Sequence, residues 1–344
     1  MLKYSTLKEK IAGYIRTQKL SPGDRIPGVR ELLKKYNVSR STLSHALELL
    51  TRDELLERRH GSGLYVKNTA RRETTTIGLI LTEAENPFLN RFLHELTIKN
   101  KHALSIITKV SAFDPARERN AADELVRAGA QGILLLPEPT EKNKRYFENM
   151  MDRGIRIVNV LRTFTDTTIP SVIPDNFAAG KLAAERLIRN GCRELGYIGN
   201  RLLKSTDERY RGFSETALAS GIAMNRRREV FLSNENTIEA GFRSCEQLLT
   251  QMKTIDGIMT FHDIYAAGVI RLCHKRGIRI PGDIRLIGCD NLDIADYLTP
   301  SLTSIDYGSS MIAANALKLV TGQMDGTQKR CIIQKPKIIV RESA

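Results

Sequence analysis

Apolar residues recur at helical spacing through the first fifty positions. Leu7, Ile11, Tyr14 and Ile15 form one stripe, Val29, Leu32, Leu33 and Tyr36 a second, and Leu43, Ala46, Leu47 and Leu50 a third. These stripes predict three short amphipathic helices. The first covers about 5–18, the second opens at Pro27 and closes at Asn37, and the third is capped by Ser39. Ser21-Pro22-Gly23-Asp24 supplies the turn after the first helix. Residues 55–58 and 64–66, on either side of Gly61-Ser62-Gly63, read as a two-stranded wing.

From Ile77 the pattern changes. Short apolar runs at 77–81, 104–107, 132–136, 155–160, 195–198, 257–260 and 284–288 predict strands. Helical periodicity fills the gaps near 88–101, 115–128, 141–153, 176–190, 208–220, 237–251 and 263–276. Alternating strands and helices make an α/β region of parallel, doubly wound sheets. Two such sheets leave a cleft between them, and ligands bind at the carboxyl ends of parallel strands. The polar segment 68–76 separates the two patterns and reads as a linker. The expected organisation is 1–67, a linker 68–76, and 77–344.

Charge sharpens this division. The 344 residues carry a net +14. Residues 1–75 hold 16 Lys/Arg against 8 Asp/Glu, a net +8 in under a quarter of the chain. A basic module of this size suits a polyanion, although charge alone fits a merely soluble surface equally well. The five cysteines are widely spaced with no CxxC pair, which fits free thiols in a reducing compartment and no metal site. No apolar signal core and no membrane-length apolar run occurs, so a cytoplasmic protein without membrane association is expected. No phosphate loop or GxSxG elbow is present, so neither an enzyme nor a cofactor is expected.

Two short helices joined by a turn form a helix-turn-helix whose second helix enters the major groove. Its first turn presents Arg40, Ser41, Thr42, Ser44 and His45 outward. Residues 4–67 resemble the winged helix of the GntR family. The motifs are Gly23-Asp24-x-Ile26-Pro27, Arg30-x-Leu32, Val38-Ser39-Arg40-x-Thr42, Ala46-Leu47 and Gly61-x-Gly63-x-Tyr65-Val66. The resemblance implies double-stranded DNA as partner. It assigns contacts to Arg30, Arg40, Thr42 and the wing glycine; Ser39, Ser41, Ser44 and His45 of the exposed first turn, and Arg59, Gly61, Ser62 and Gly63 of the wing, complete the expected contact set. Arginine reads guanine or phosphate bidentately. Gly28 stands where the family has serine before the second helix, and Ser44 where it commonly has a second recognition arginine.

In the larger region, polar residues at strand ends are the binding candidates: Asn86-Pro87-Phe88, Arg162, Arg209, His262-Asp263 and Asp290. Groups that make forked hydrogen bonds beside an aromatic face suit a small polar ligand. Phe88 fits a core position as well as a stacking face, and Asp175 and Asp263 fit helix caps better than ligand contacts. Residues 76–342 resemble the LacI/GalR effector domain, related to periplasmic sugar-binding proteins. The motifs are Asn86-Pro87-Phe88, Asp175-Asn176-x-x-x-Gly180, Arg209-x-x-Gly212-Phe213, Gly277–Asp290 and Pro300-x-Leu302-Thr303-Ser304-Ile305.

That resemblance implies a two-lobed, periplasmic-binding-protein-like fold. It places lobe 1 at about 77–161 and 292–324, and lobe 2 at about 162–291 and 325–344, with chain crossings near 161–164, 290–293 and 322–330. Effector contacts are expected from Phe88, Arg162, Arg209, His262 and Asp290. His262 replaces the family's usual asparagine, which predicts altered contact geometry and a pH dependence.

The expected function is a homodimeric transcription regulator that reads a near-palindromic operator and responds to a small effector, a monosaccharide first. The fused architecture resembles that of arabinose-responsive repressors. The competing reading, an extracytoplasmic sugar-binding transport protein, leaves the winged helix without a purpose.

Overall fold

A computed structural model describes residues 4–18, 20, 23–53, 55–59, 63–66, 75–100, 104–200, 204–231, 235–324 and 331–344. The chain divides into two compact units, 1–75 and 76–344. Residues 68–74 of the expected linker lie outside the described residues, as do Gly61 and Ser62 of the wing.

The first unit contains α1 (Tyr4–Thr17), α2 (Val29–Tyr36), α3 (Arg40–Arg52) and the antiparallel pair β1 (Leu56–Arg59) and β2 (Gly63–Val66). Its core joins Leu7, Ile11, Leu32, Leu43, Leu47, Leu50 and Leu56. Helix α2 begins at Val29 rather than at Pro27. Gly28 sits at its N-cap with no side chain to offer, yet Glu31 accepts the Gly28 N–H at 3.2 Å. Half of a capping box therefore survives the missing serine.

The second unit begins with β3 (Thr76–Leu81), α4 (Pro87–Lys99), β4 (Ser105–Val110), α5 (Pro115–Arg127), β5 (Gly132–Leu135), α6 (Glu141–Asp152), β6 (Arg156–Val160) and β7 (Ser171–Pro174). The chain continues through α7 (Asn176–Arg189), β8 (Leu195–Ile198), α8 (Lys204–Ala219), β9 (Glu229–Val230), α9 (Ile238–Gln251), β10 (Gly257–Thr260), α10 (Asp263–Lys275) and β11 (Arg285–Cys289). It ends with α11 (Ile294–Tyr297), β12 (Thr303–Asp306), α12 (Ser309–Val320), β13 (Cys331–Gln334) and β14 (Lys337–Ile339). One six-stranded sheet has the order β13-β7-β6-β5-β3-β4 and is parallel throughout. The other has the order β14-β12-β11-β10-β8-β9, with β14 antiparallel.

The lobe boundaries expected from the sequence need correction. Strand β7 pairs with β6 through Asn159↔Ser171, so the chain does not leave lobe 1 near 161–164 but returns to the same sheet. Strand β12 keeps 303–306 in the second sheet, so 290–293 is not a crossing either. The observed crossings are at 174–176, 306–309 and 334–337. They run side by side, because Gln334 is the register partner of Pro174 and Lys337 that of Asp306. The reason is local. Ser171-Val172-Ile173-Pro174 has only two consecutive apolar residues before a proline, and proline argues against reading a central strand.

Among the described residues, no helix is long and apolar enough to cross a membrane.

Candidate effector site and DNA interface

In the first unit, Ser39 caps α3. Its Oγ accepts the Thr42 N–H at 3.2 Å and lies 2.8 Å from the Thr42 hydroxyl and 2.9 Å from that of Ser41. The first turn of α3 holds no acid, so its partial positive charge stays uncompensated beside three hydroxyls. A helix end of that kind attracts phosphate. Arg30, Arg40 and Ser44 are exposed, and neither arginine pairs with an acid among the described residues. Two other expected contacts are engaged within the protein. Arg59 bonds Glu57 at 2.7 Å and lies 4.5 Å over the Tyr65 ring. His45 meets Tyr4 edge-on at 4.5 Å. Gly63 has φ +117°, a backbone that demands glycine, and a Cβ there would also come within 3.0 Å of the Arg25 guanidinium, which would have to give way.

In the second unit, Phe88, Arg162, Arg209, His262 and Asp290 all line one cleft of about 630 Å³ between the lobes. Arg209 sits in the second turn of α8, not at its start as the sequence suggested. Its Nε donates to Asn176 Oδ1 at 2.9 Å and its Nη1 to the Phe261 carbonyl. The guanidinium also lies 4.6 Å from the Phe261 ring centre and 5.1 Å from that of Tyr307. Burial disfavours its charge, but the acidic groups around it, Tyr307, Cys289 and Asp290, reverse the effect and raise its pKa. Of these only Asp290 is ionised near neutrality. Nη2 makes no hydrogen bond among the described residues.

Asp290 follows β11 with φ +97°, a conformation costly for a residue with a side chain. Asp263 braces this turn from beneath, accepting the Leu292 N–H at 2.7 Å and the Ser304 hydroxyl at 2.6 Å. It is therefore neither a cap nor a ligand contact. The Asp290 carboxylate accepts no hydrogen bond among the described residues. Burial pushes its pKa up to about 6, against the opposing pull of Arg209 and Arg91. Lining the cleft, the carboxylate stands open to a donor.

The second unit matches a periplasmic binding protein-like domain model over residues 184–344. The first matches the model for bacterial regulatory proteins of the gntR family over residues 3–66. The chain is a transcription regulator of composite build, a GntR-type DNA-binding module followed by a periplasmic-binding-protein-like domain.

The regulator is 24% identical to the HTH-type transcriptional repressor PurR of Histophilus somni (strain 129Pt) over 333 residues, covering 92% of this chain and 98% of the relative. It is 25% identical to the ribose operon repressor of Haemophilus influenzae, with the same coverage. Among solved structures, it is similar to the transcription regulator CcpA of Lactococcus lactis (TM-score 0.69, 24% identity, 79% of this chain and 99% of that one). It is also similar to a periplasmic binding protein/LacI transcriptional regulator from Alkaliphilus metalliredigens complexed with D-xylulofuranose (TM-score 0.66, 25% identity, 78% and 99%).

His262 behaves differently in this regulator from what the sequence implied. Its Nδ1 accepts the Tyr265 N–H at 3.3 Å, leaving the proton on Nε2, which faces Asn236 Oδ1 at 3.0 Å. Both ring nitrogens are engaged by the protein. Burial, helped by Arg209, holds its pKa down to about 3. The pH dependence expected of this position is corrected accordingly: the ring is neutral throughout the physiological range.

Arg162 enters the cleft from a strained corner. Leu161 has φ +64°, and the Arg162 N–H bonds back to the Val160 carbonyl at 2.7 Å, closing a γ-turn. The guanidinium reaches Glu138 at 3.4 Å. Phe88 packs edge-on against Tyr307, with centroids 6.3 Å apart, and is half-buried. It is thus both a core residue and a cleft wall.

Glu83, Phe113, Asn176, Phe261 and Tyr307 also line the cleft and were not singled out as contacts. Asn176 belongs to the Asp175-Asn176-x-x-x-Gly180 motif, and Glu83 stands two residues past β3, where strand-end polarity marks it. Tyr307 follows a strand that the sequence did not reveal.

Proposed function

We propose that the regulator is a cytoplasmic repressor that binds a near-palindromic operator as a homodimer and is controlled by a monosaccharide. The observation that carries the effector reading is the pair Arg209 and Asp290. A guanidinium Nη2 and a buried carboxylate face one cleft with unused hydrogen-bonding capacity, beside the rings of Phe88, Phe261 and Tyr307. Vicinal hydroxyls supply the donors and acceptors this pair lacks, and a ring face suits the aromatic walls. The sugar named with the Alkaliphilus structure and the ribose operon named for a relative support that class. Relatives named as repressors support the sign of regulation.

The exposed Arg30, Arg40 and Ser39–Thr42 hydroxyls support major-groove reading by α3. Two subunits would place two such helices on half-sites about one helical turn apart. Closure of the lobes on the sugar would alter the spacing of the paired readers, with coupling of about 1–3 kcal/mol.

Fluorescence anisotropy on DNA from upstream of the regulator's own gene, titrated with pentoses and hexoses, tests this. One sugar should change operator affinity by about 5–150-fold. Binding that no sugar alters would remove the effector class while leaving DNA recognition intact.

A further inference from the structure

The mouth of the cleft is spanned by a chain of hydrogen bonds belonging wholly to the protein. Glu83 Oε1, in lobe 1 just after β3, accepts the Asn86 side-chain amide at 2.7 Å and that of Asn236 at 2.9 Å. Asn236 belongs to lobe 2, in the segment between β9 and α9. Its Oδ1 faces His262 Nε2 at 3.0 Å. The segment is pinned again at Glu235, whose carbonyl accepts the Tyr265 hydroxyl at 2.6 Å and whose carboxylate bonds Arg243 at 2.9 Å. The same edge carries a second tie, from Arg91 of α4 to the Asn291 carbonyl in lobe 2.

The polarity of the chain is fixed at each link. The Tyr265 N–H can only donate, so His262 Nδ1 accepts and Nε2 carries the proton. The Asn236 oxygen then faces His262 and its NH₂ faces lobe 1. Only an acceptor at position 83 completes the series, and Glu83 supplies one. Asn86 strengthens it by donating to the same oxygen while its own carbonyl caps α4.

We propose that Glu83 and Asn236 form the clasp that holds the lobes closed, and that His262 serves to orient Asn236. All three are positioning residues for the effector response. Glu83 and Asn236 are the cross-cleft pair, and the ligand-facing work stays with Arg209 and Asp290. The consequence for the effector rests on the sugar reading above; the closure itself does not. A ligand that binds the closed form sees an affinity scaled by the fraction of molecules closed. A hydrogen bond to a charged group makes that fraction sensitive on the order of tenfold.

The polarity suggests a test that separates the clasp from general damage. Asn236→Asp keeps the oxygen that faces His262 but turns a carboxylate toward Glu83, so the clasp becomes repulsive. Adding Glu83→Gln supplies an amide donor to that carboxylate and restores the cross-lobe link with reversed polarity, giving up the Asn86 hydrogen bond that used the same oxygen. Spin labels at Lys142→Cys in lobe 1 and Lys253→Cys in lobe 2, in the full chain carrying Cys331→Ser, report the interlobe distance without any effector. Asn236→Asp should shift the distribution to longer distances, Glu83→Gln alone should leave it near that of the parent, and the pair should return it.

With an active sugar in hand, Asn236→Asp should also weaken its binding on the order of tenfold and the pair should recover it. An unchanged distribution in Asn236→Asp, or a pair that stays open while melting like the parent, overturns the clasp. Failure of every sugar to bind leaves the distance result standing and strikes only the effector reading.

Discussion

Gly180 of α7 lies against Arg209 of α8 so closely that a Cβ on Gly180 would sit 1.9 Å from the Arg209 carbonyl oxygen. The contact is reciprocal: a Cβ on Gly212 would sit 2.0 Å from the Phe177 carbonyl oxygen. Two glycines let the helix backbones touch, and that contact sets how far the Arg209 side chain reaches into the cleft. Gly180→Ala must therefore push α8 away. Overpacking of this kind costs about 1–3 kcal/mol, read as a lower thermal midpoint of the effector unit, and calorimetry should show sugar-dependent stabilisation lost as well.

Asp263 offers a second test of how the binding residues are held. Asp263→Ala strands the buried Leu292 N–H and the Ser304 hydroxyl, at a cost of about 1–3 kcal/mol per group. It also releases the turn that keeps Asp290 at positive φ. Asp263→Asn can accept the Leu292 N–H with its oxygen and donate to Ser304 with its amide, so the effect should be milder. Urea unfolding should rank parent, asparagine and alanine in that order, and effector affinity should follow the same ranking.

At the DNA surface the structure predicts unequal arginines. Arg30→Ala and Arg40→Ala should each weaken operator binding by about 1–3 kcal/mol. Arg59→Ala should cost less, because Glu57 and the Tyr65 ring already hold that side chain. Anisotropy at two salt concentrations separates the roles. Loss of a phosphate contact flattens the salt dependence, whereas loss of a base contact relaxes sequence preference.

A pH dependence follows from Glu118, which is fully buried behind Arg162. Its carboxyl accepts the Glu138 N–H at 2.8 Å and the Asn143 amide at 2.6 Å. Burial nonetheless raises its pKa to about 7. Between the ordinary glutamate value and about 7, the unfolded chain releases a proton that the folded chain keeps. The stabilising contribution is therefore fully present at acid pH and is lost as pH rises through that window, on the order of 3 kcal/mol. Glu118→Gln should flatten this slope in chemical denaturation curves measured from pH 4.5 to 8.

His262 has the opposite linkage. Its folded pKa is depressed to about 3, so the unfolded chain takes up a proton below the ordinary histidine value while the fold refuses it. Stability from this group is present above about 6.5 and is lost as pH falls toward 3. In NMR, its ring resonances should stay unmoved from pH 8 to 5.

Much of the molecule was legible in its residues. The three stripes of the winged helix, the Ser39 cap, the strand–helix alternation from Ile77 and the strand-end positions of Phe88, Arg162, Arg209, His262 and Asp290 are all local signals. The lobe crossings were not legible, because β7 ends in proline and β12, β13 and β14 interrupt their apolar residues with polar ones, so their identity comes from their neighbours. Helix α12 was missed for a related reason: Ser309–Val320 is buried around much of its circumference between α4 and the first sheet, so no polar face marks its period.

That a basic winged helix precedes a parallel α/β region follows from the residues alone, because helix stripes, caps and short apolar runs depend on neighbours three or four positions away. What the polar residues do once there depends on contacts made only after folding. The sequence ranks Asp290 above His262 as a contact candidate without giving a hydrogen-bonding reason. In the fold, Tyr265 and Asn236 occupy both nitrogens of His262, while the turn braced by Asp263 leaves the Asp290 carboxylate open to the cleft. Hydrogen-bonding capacity is spent or saved by residues far apart in the chain, and that allocation exists only after folding.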